Sequence, residues 1–276
     1  MKPILFIIIF ISITFITFAQ NGSSSISGAK GAAMANTSTT FQDVFSITSN
    51  QAGIAFLENT SVGLLAEQRF LNTDIQQFGA VAGLPTRFGS FGLLIQTFGF
   101  EVYKEQKIGL AYARKLSKKF AIGVQFNYLN TRISEYGNFN AISFEGGLQA
   151  EIIENLWLGA AISNPFRIEI APDEYLPTQF NIGLSYRFSN KVLIATEAQK
   201  DFEYPTSIRV GLDYHIIEPL SIRLGVGTEP IQNSFGIGIH LKQLTLDFAA
   251  RYHQTLGFTP TFSMIYEFKK SDSKQK

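Results

Sequence analysis

The sequence predicts an all-β protein, a 14-stranded antiparallel transmembrane β-barrel with an N-terminal plug segment, and three observations lead there. Apolar and polar residues alternate with a period of two from about Thr60 to Phe268. The connections between alternating segments are sorted by length, tight on one side and longer on the other. Residues Gly28 to Phe56, by contrast, are small, polar and irregular, and suit neither a strand nor a long helix.

The first element is an export signal over residues 1–19. Met1-Lys2 supplies a positive start, and Ile4 to Phe18 is an apolar run broken only by Ser and Thr. Thr17-Phe18-Ala19 then places small residues three and one positions before a cut, leaving Gln20 as the mature N-terminus. The run falls short of the roughly 20 residues a spanning helix needs. No other long apolar run follows, so the mature chain can cross a membrane only as strands.

The barrel is expected over residues 59–268. The chain holds 26 Phe, 10 Tyr and 23 Gly against 3 Met and 1 Trp, a choice that fits pleated, closely packed strands. Fourteen alternating segments begin near residues 61, 76, 88, 105, 119, 140, 155, 177, 191, 205, 219, 233, 243 and 258. In "SIRVGLDYHI", Ile208, Val210, Leu212, Tyr214 and Ile216 fall on one face, and Ser207, Arg209, Gly211, Asp213 and His215 on the other. Connections after even-numbered segments are tight ("TRFGSF", "LSKKF", "IIENL", "FSNKV", "IIEPL", "LKQL"). Those after odd-numbered ones, such as "NTRISEYGNFN" and "NPFRIEIAPDEYLPT", are longer. Up-and-down membrane barrels sort their turns in this way, with the short side in the periplasm. A membrane girdle is expected near the short turns from Tyr112, Phe120, Tyr186, Phe188, Tyr214, Tyr266 and Phe268. Residues 269–276 read as a disordered periplasmic tail.

Glycine is frequent on the inward face, at Gly63, Gly79, Gly83, Gly109, Gly123, Gly183, Gly211, Gly225, Gly227, Gly236 and Gly238. Glycine weakens a strand unless another backbone approaches closely. A barrel of this size encloses space that such small side chains cannot fill. Residues 20–58 are therefore expected inside it, as a plug. Arg209, Asp213, Arg223, Glu229, Asp247 and Arg251 are the expected lumen charges, mixed in sign and read as a largely self-neutralising wall.

Composition excludes several functions. Net charge is +1, which gives no basic footprint for nucleic acid. Without cysteine there is no disulfide, thiolate metal site or cysteine nucleophile. Three histidines and no "GxSxG" motif give no catalytic constellation, so neither enzyme activity nor a cofactor or metal is expected.

"GAKGAAMANTSTTFQDVFSITSNQAGIA" resembles the N-terminal signature of PorV/PorQ-type outer-membrane proteins, a branch of the FadL-like plugged barrels. Gly28, Ala29, Met34 and Asp43 hold corresponding places, as do Asn50, Ala52 and Gly53 in the last block. Lys30 stands where arginine is usual, and Gln51 where proline is usual. The resemblance implies a non-enzymatic barrel in the cell outer membrane, with outer-membrane lipid around it. It implies an accessory role in type IX secretion, partnered by a translocon or exported proteins. The alternative it carries is FadL-like transport of hydrophobic small molecules.

Overall fold

The computed structural model describes residues 27–269 apart from 167, 172, 173 and 203. The expected signal over 1–19, the first residues of the expected plug and the tail beyond Lys269 lie outside the described residues.

Period-two alternation produces strands almost throughout. They are β1 (Ser61–Gln68), β2 (Gln76–Thr86), β3 (Gly89–Gly99), β4 (Tyr103–Ser117), β5 (Phe120–Ile133), β6 (Gly137–Ile153), β7 (Leu156–Ser163) and the short β8 (Glu169–Ala171) and β9 (Glu174–Tyr175). There follow β10 (Gln179–Ser189), β11 (Val192–Asp201), β12 (Ser207–Ile217), β13 (Leu220–Gly227), β14 (Gln232–Leu241), β15 (Leu244–His253) and β16 (Gly257–Glu267). Apart from β8 and β9, which pair only with each other, the strands close into one antiparallel barrel of fourteen. β7 pairs with β10, and β1 pairs with β16 to seal the ring.

Strand starts fall where alternation places them, with the largest offset at β6, which begins at Gly137 rather than near 140. The loops differ more. The connections expected to be tight are tight, as at 87–88 and 118–119. Three connections expected to be long are short, leaving only 100–102 between β3 and β4, 134–136 between β5 and β6 and 254–256 between β15 and β16. Their polar and aromatic residues continue the strands instead, so β4 and β6 reach 15 and 17 residues. The longest connection, 164–178, carries the β8–β9 hairpin.

The two faces follow from the pleat. On β12, Ile208, Val210 and Tyr214 are exposed on the outside while Ser207, Gly211 and Asp213 are buried inside. Exposed outward Leu, Ile, Val and Phe recur around the ring, Leu110 and Val124 among them. In water such a surface would be costly, and lipid covers it without cost. All seven expected girdle aromatics lie at the short-turn ends of their strands. Tyr186 packs on Phe188 at 4.6 Å and Tyr266 on Phe268 at 5.0 Å.

Candidate functional site: the N-terminal segment in the lumen

Residues 27–58 lie inside the barrel and make up most of its buried core. Ala29, Ala32, Met34, Ile47, Ala52 and Ile54 are fully buried there. The segment forms one short helix, α1 (Gly28–Ala33), and 3-10 turns at Val44–Thr48 and Gln51–Phe56. Side-chain caps add to the backbone bonds of these turns. The Phe45 amide donates to Asp43 Oδ1 at 2.9 Å and the Ala52 amide to Asn50 Oδ1 at 3.1 Å, each satisfying a donor that a helix start leaves free. Asn50 also donates through Nδ2 to the Thr39 carbonyl at 2.8 Å and the Leu148 carbonyl of β6 at 2.9 Å. Asn50 thus caps a turn, ties two parts of the segment together and fastens both to the wall.

The other residues singled out in the sequence have comparable jobs. Gly28 has φ +68° and lies against the Phe45 ring. A Cβ on Gly53 would come within 2.2 Å of the Phe41 carbonyl. The Ala29 amide donates to Ser263 Oγ of β16 at 2.8 Å. Lys30 pairs with Asp43 at 3.8 Å and sits over the Phe41 ring. Burial pushes the Asp43 carboxyl above the usual range, against the opposing pull of Lys30. Gln51 donates through Nε2 to Glu145 at 2.8 Å, a bond no proline could make.

The segment seats against a belt of small residues. A Cβ on Gly123 would lie 2.4 Å from the Gln51 carbonyl carbon, one on Gly159 2.3 Å from the Thr39 carbonyl oxygen, and one on Gly225 2.3 Å from the Ala35 nitrogen. These glycines let backbone meet backbone. Gly92, Gly147 and Gly159 belong to the belt and escaped the sequence reading. Other inward glycines serve the wall itself: Gly238 leaves room for Arg223, and Gly109 for Gln125 and Asn127.

Charge lies on both sides of the belt. Towards the short turns, Arg223 is 1% exposed and pairs with Asp213 at 3.2 Å and Asp247 at 2.5 Å. His215 stacks on His240 at 5.1 Å nearby. Towards the long loops, Arg251 reaches Glu67 at 2.6 Å and Arg69 reaches it at 3.1 Å. Lys107 reaches Glu145 at 2.5 Å, and Arg209 lies 4.0 Å from Glu197. The acids of these three clusters are the deeper partners, at 0%, 4% and 3% side-chain exposure against 14–15% for the bases. Glu197 also accepts from the Thr39 amide of the segment at 2.9 Å. Burying these charges is tolerable because each has an opposite partner.

The expected wall of lumen charges is therefore two separate layers. Glu229 belongs to neither: it is exposed in the turn joining β13 to β14, because β13 ends at Gly227 and Pro230 cannot donate to a ladder. Glu67, Lys107, Glu145 and Glu197 were missed. Their signal was present, since Glu67 is in phase with Gly63 and Leu65, and Glu197 with Ala195. A cavity of about 250 Å³ opens at the short-turn end between segment and wall, and its lining mixes Asp43, Glu58 and Glu267 with Val44, Phe56 and Ile265. Among the described residues no group of three or more His, Asp or Glu is placed to hold a metal ion.

The closed fourteen-stranded barrel is similar in fold to several solved transporter and channel structures. The toluene transporter TbuX of Ralstonia pickettii superimposes with a TM-score of 0.69 at 11% identity, over 89% of this chain and 99% of that one. The monoaromatic hydrocarbon channel CymD gives 0.70 at 12%, over 89% and 98%. A Pseudomonas aeruginosa FadL homologue gives 0.65 at 12%, over 88% and 98%. The likeness is one of fold. No protein-family model matches the sequence, and neither does any curated protein.

Proposed function

We propose that the protein is a non-enzymatic outer-membrane barrel that passes small hydrophobic molecules, with residues 20–58 as the plug that sets their route. In this reading residues 1–19 direct export and are removed, and residues 269–276 trail in the periplasm. The observation that carries it is the seat of the segment backbone on the glycine belt, in a fold shared with the toluene and monoaromatic hydrocarbon transporters. A plug held by close backbone contact and a few polar bonds closes the lumen to water, so solutes must pass between plug and wall or leave sideways into lipid. The test is uptake of radiolabelled toluene by proteoliposomes, with planar-bilayer conductance measured in parallel. Saturable uptake with low ionic conductance supports the reading; uptake equal to that of empty liposomes sinks it.

A second reading is a PorV/PorQ-type accessory barrel in type IX secretion. Two observations favour it: paired charge layers flank the segment on both sides, and the cavity at the short-turn end has a mixed lining rather than a greasy one. Affinity purification from the native outer membrane separates the two. Stoichiometric recovery of a large translocon barrel or of exported proteins supports this second reading, and recovery with a bound apolar compound supports transport.

A further inference from the structure

The short-turn end is not uniformly charged. Five cations, Arg87, Arg114, Lys115, Lys118 and Lys119, gather on the adjoining ends of β2 to β5 and are exposed. Lys119 pairs with Glu151 at 3.4 Å, and none of the other four forms an ion pair among the described residues. β4 runs past the start of β3, where Ser90 pairs with Ala113, so that Arg114 to Ser117 extend on the side of the Arg87–Phe88 turn. The Tyr112 hydroxyl donates to the Phe88 carbonyl at 2.7 Å and ties that turn to β4. The two turns are two strand spacings apart, roughly 10 Å. That is close to a Debye length, so their charges act together.

The patch lies at the edge of the lipid-facing surface. Ile108, Leu110, Tyr112, Arg114 and Leu116 alternate along the outward row of β4, so Arg114 sits one step beyond a girdle tyrosine. Leu116 and Phe88 are exposed beside it, at 56% and 63%. Arg87 lies over the Phe88 ring at 4.5 Å. Cations interleaved with exposed apolar side chains, at the level where acyl chains give way to headgroups, suit an anionic lipid better than a soluble acidic protein, which would leave Leu116 and Phe88 uncovered.

We propose that the β2–β5 end of the barrel is a binding site for the headgroup of an anionic phospholipid in the adjacent leaflet. Phosphate oxygens accept from Arg114 and the Lys118-Lys119 turn, Arg87 supplies further positive charge, and the acyl chains lie along Tyr112 and Leu110. The site is independent of what passes through the lumen.

The test uses full-length protein in mild detergent with equimolar phosphatidylglycerol and phosphatidylethanolamine, and counts bound lipids by native mass spectrometry. The wild type is expected to prefer phosphatidylglycerol, and high salt to remove the preference. Arg114→Gln/Lys118→Gln/Lys119→Gln is expected to lower it by roughly fivefold per cation removed. Arg187→Gln/Lys191→Gln/Lys242→Gln, with the same charge change elsewhere on that end, is expected to keep it. Gel mobility without heating selects folded protein for each measurement. Absence of a preference in the wild type overturns the proposal whatever the variants do. Equal losses in the two variants overturn it too, as does displacement of the patch's lipid by a soluble polyglutamate probe.

Discussion

Gln51 donates its side-chain amide to Glu145 at 2.8 Å, joining the N-terminal segment to β6. Glu145 also receives Lys107 at 2.5 Å and Asn127 at 3.1 Å, so one buried carboxylate binds segment, β4 and β5 together. Of the two residues, Lys30 and Gln51, at which the sequence departs from the signature it resembles, Gln51 is thus the one that uses this carboxylate. Replacing Gln51 by Leu should cost about 1.5–3 kcal/mol, the range for a hydrogen bond to a charged group. Urea unfolding of the refolded barrel, followed by the gel shift between folded and heated forms, measures it. A loss below about 0.5 kcal/mol would mean that Lys107 and Asn127 satisfy Glu145 alone.

The glycine belt predicts a contrast between two close positions. Gly123→Ala should displace the segment, because the new Cβ meets the Gln51 and Ala52 backbone at 2.4 and 2.5 Å. Gly146→Ala should be silent, since its nearest neighbour is 3.6 Å away. Planar-bilayer recording checks both, with raised or flickering conductance expected for Gly123→Ala alone.

Arg223 serves two aspartates, so its removal should be severe. Arg223→Met leaves Asp213 and Asp247 buried without their cation and should cost about 3–5 kcal/mol. Adding Asp213→Asn and Asp247→Asn should recover much of that loss. The same unfolding assay tests the comparison, and a triple variant no better than Arg223→Met would show that packing rather than charge dominates the cluster.

Asp43 gives a pH dependence of definite sign. Its carboxyl is raised in the folded state, chiefly by burial, so folding binds its proton more tightly than the unfolded chain does. The penalty of ionising it is fully present above the raised value. It fades as pH falls through that value and is gone below the unfolded carboxylate range. Asp43→Asn keeps an acceptor for the Phe45 amide and should be more stable than wild type at neutral pH once the loss of Lys30's partner is offset. That advantage should shrink on acidification. Paired unfolding curves at neutral and mildly acidic pH measure it, and an advantage that grew instead would reverse the assignment.

Much of this architecture was legible because a pleated strand exposes its two faces to different media. Ile208, Val210 and Tyr214 against Ser207, Gly211 and Asp213 can be sorted by counting. Counting also sorts Arg223 and Asp247 inward, yet it says nothing of their pairing across strands, which depends on register. It placed Glu229 inward because alternation was carried past the end of β13 into a turn. Loop length was less legible, since "NTRISEYGNFN" has a loop's composition and a strand's conformation for all but 134–136. Inward glycines were recognisable as a group, but the sequence could not separate Gly123, pressed by the segment, from Gly238, which makes room for Arg223.

The bond from the Ala29 amide to Ser263 Oγ spans 234 positions of the chain. It sits beside the β1–β16 pairing that closes the ring. Part of the segment's seat therefore lies on β16, while Gly123, Gly147 and Gly159 of the belt lie on β5 to β7, in the middle of the chain. The segment's full set of contacts exists only once β16 is in place. Strand pairing and the seating of the segment thus share β16, so a change in one is felt by the other.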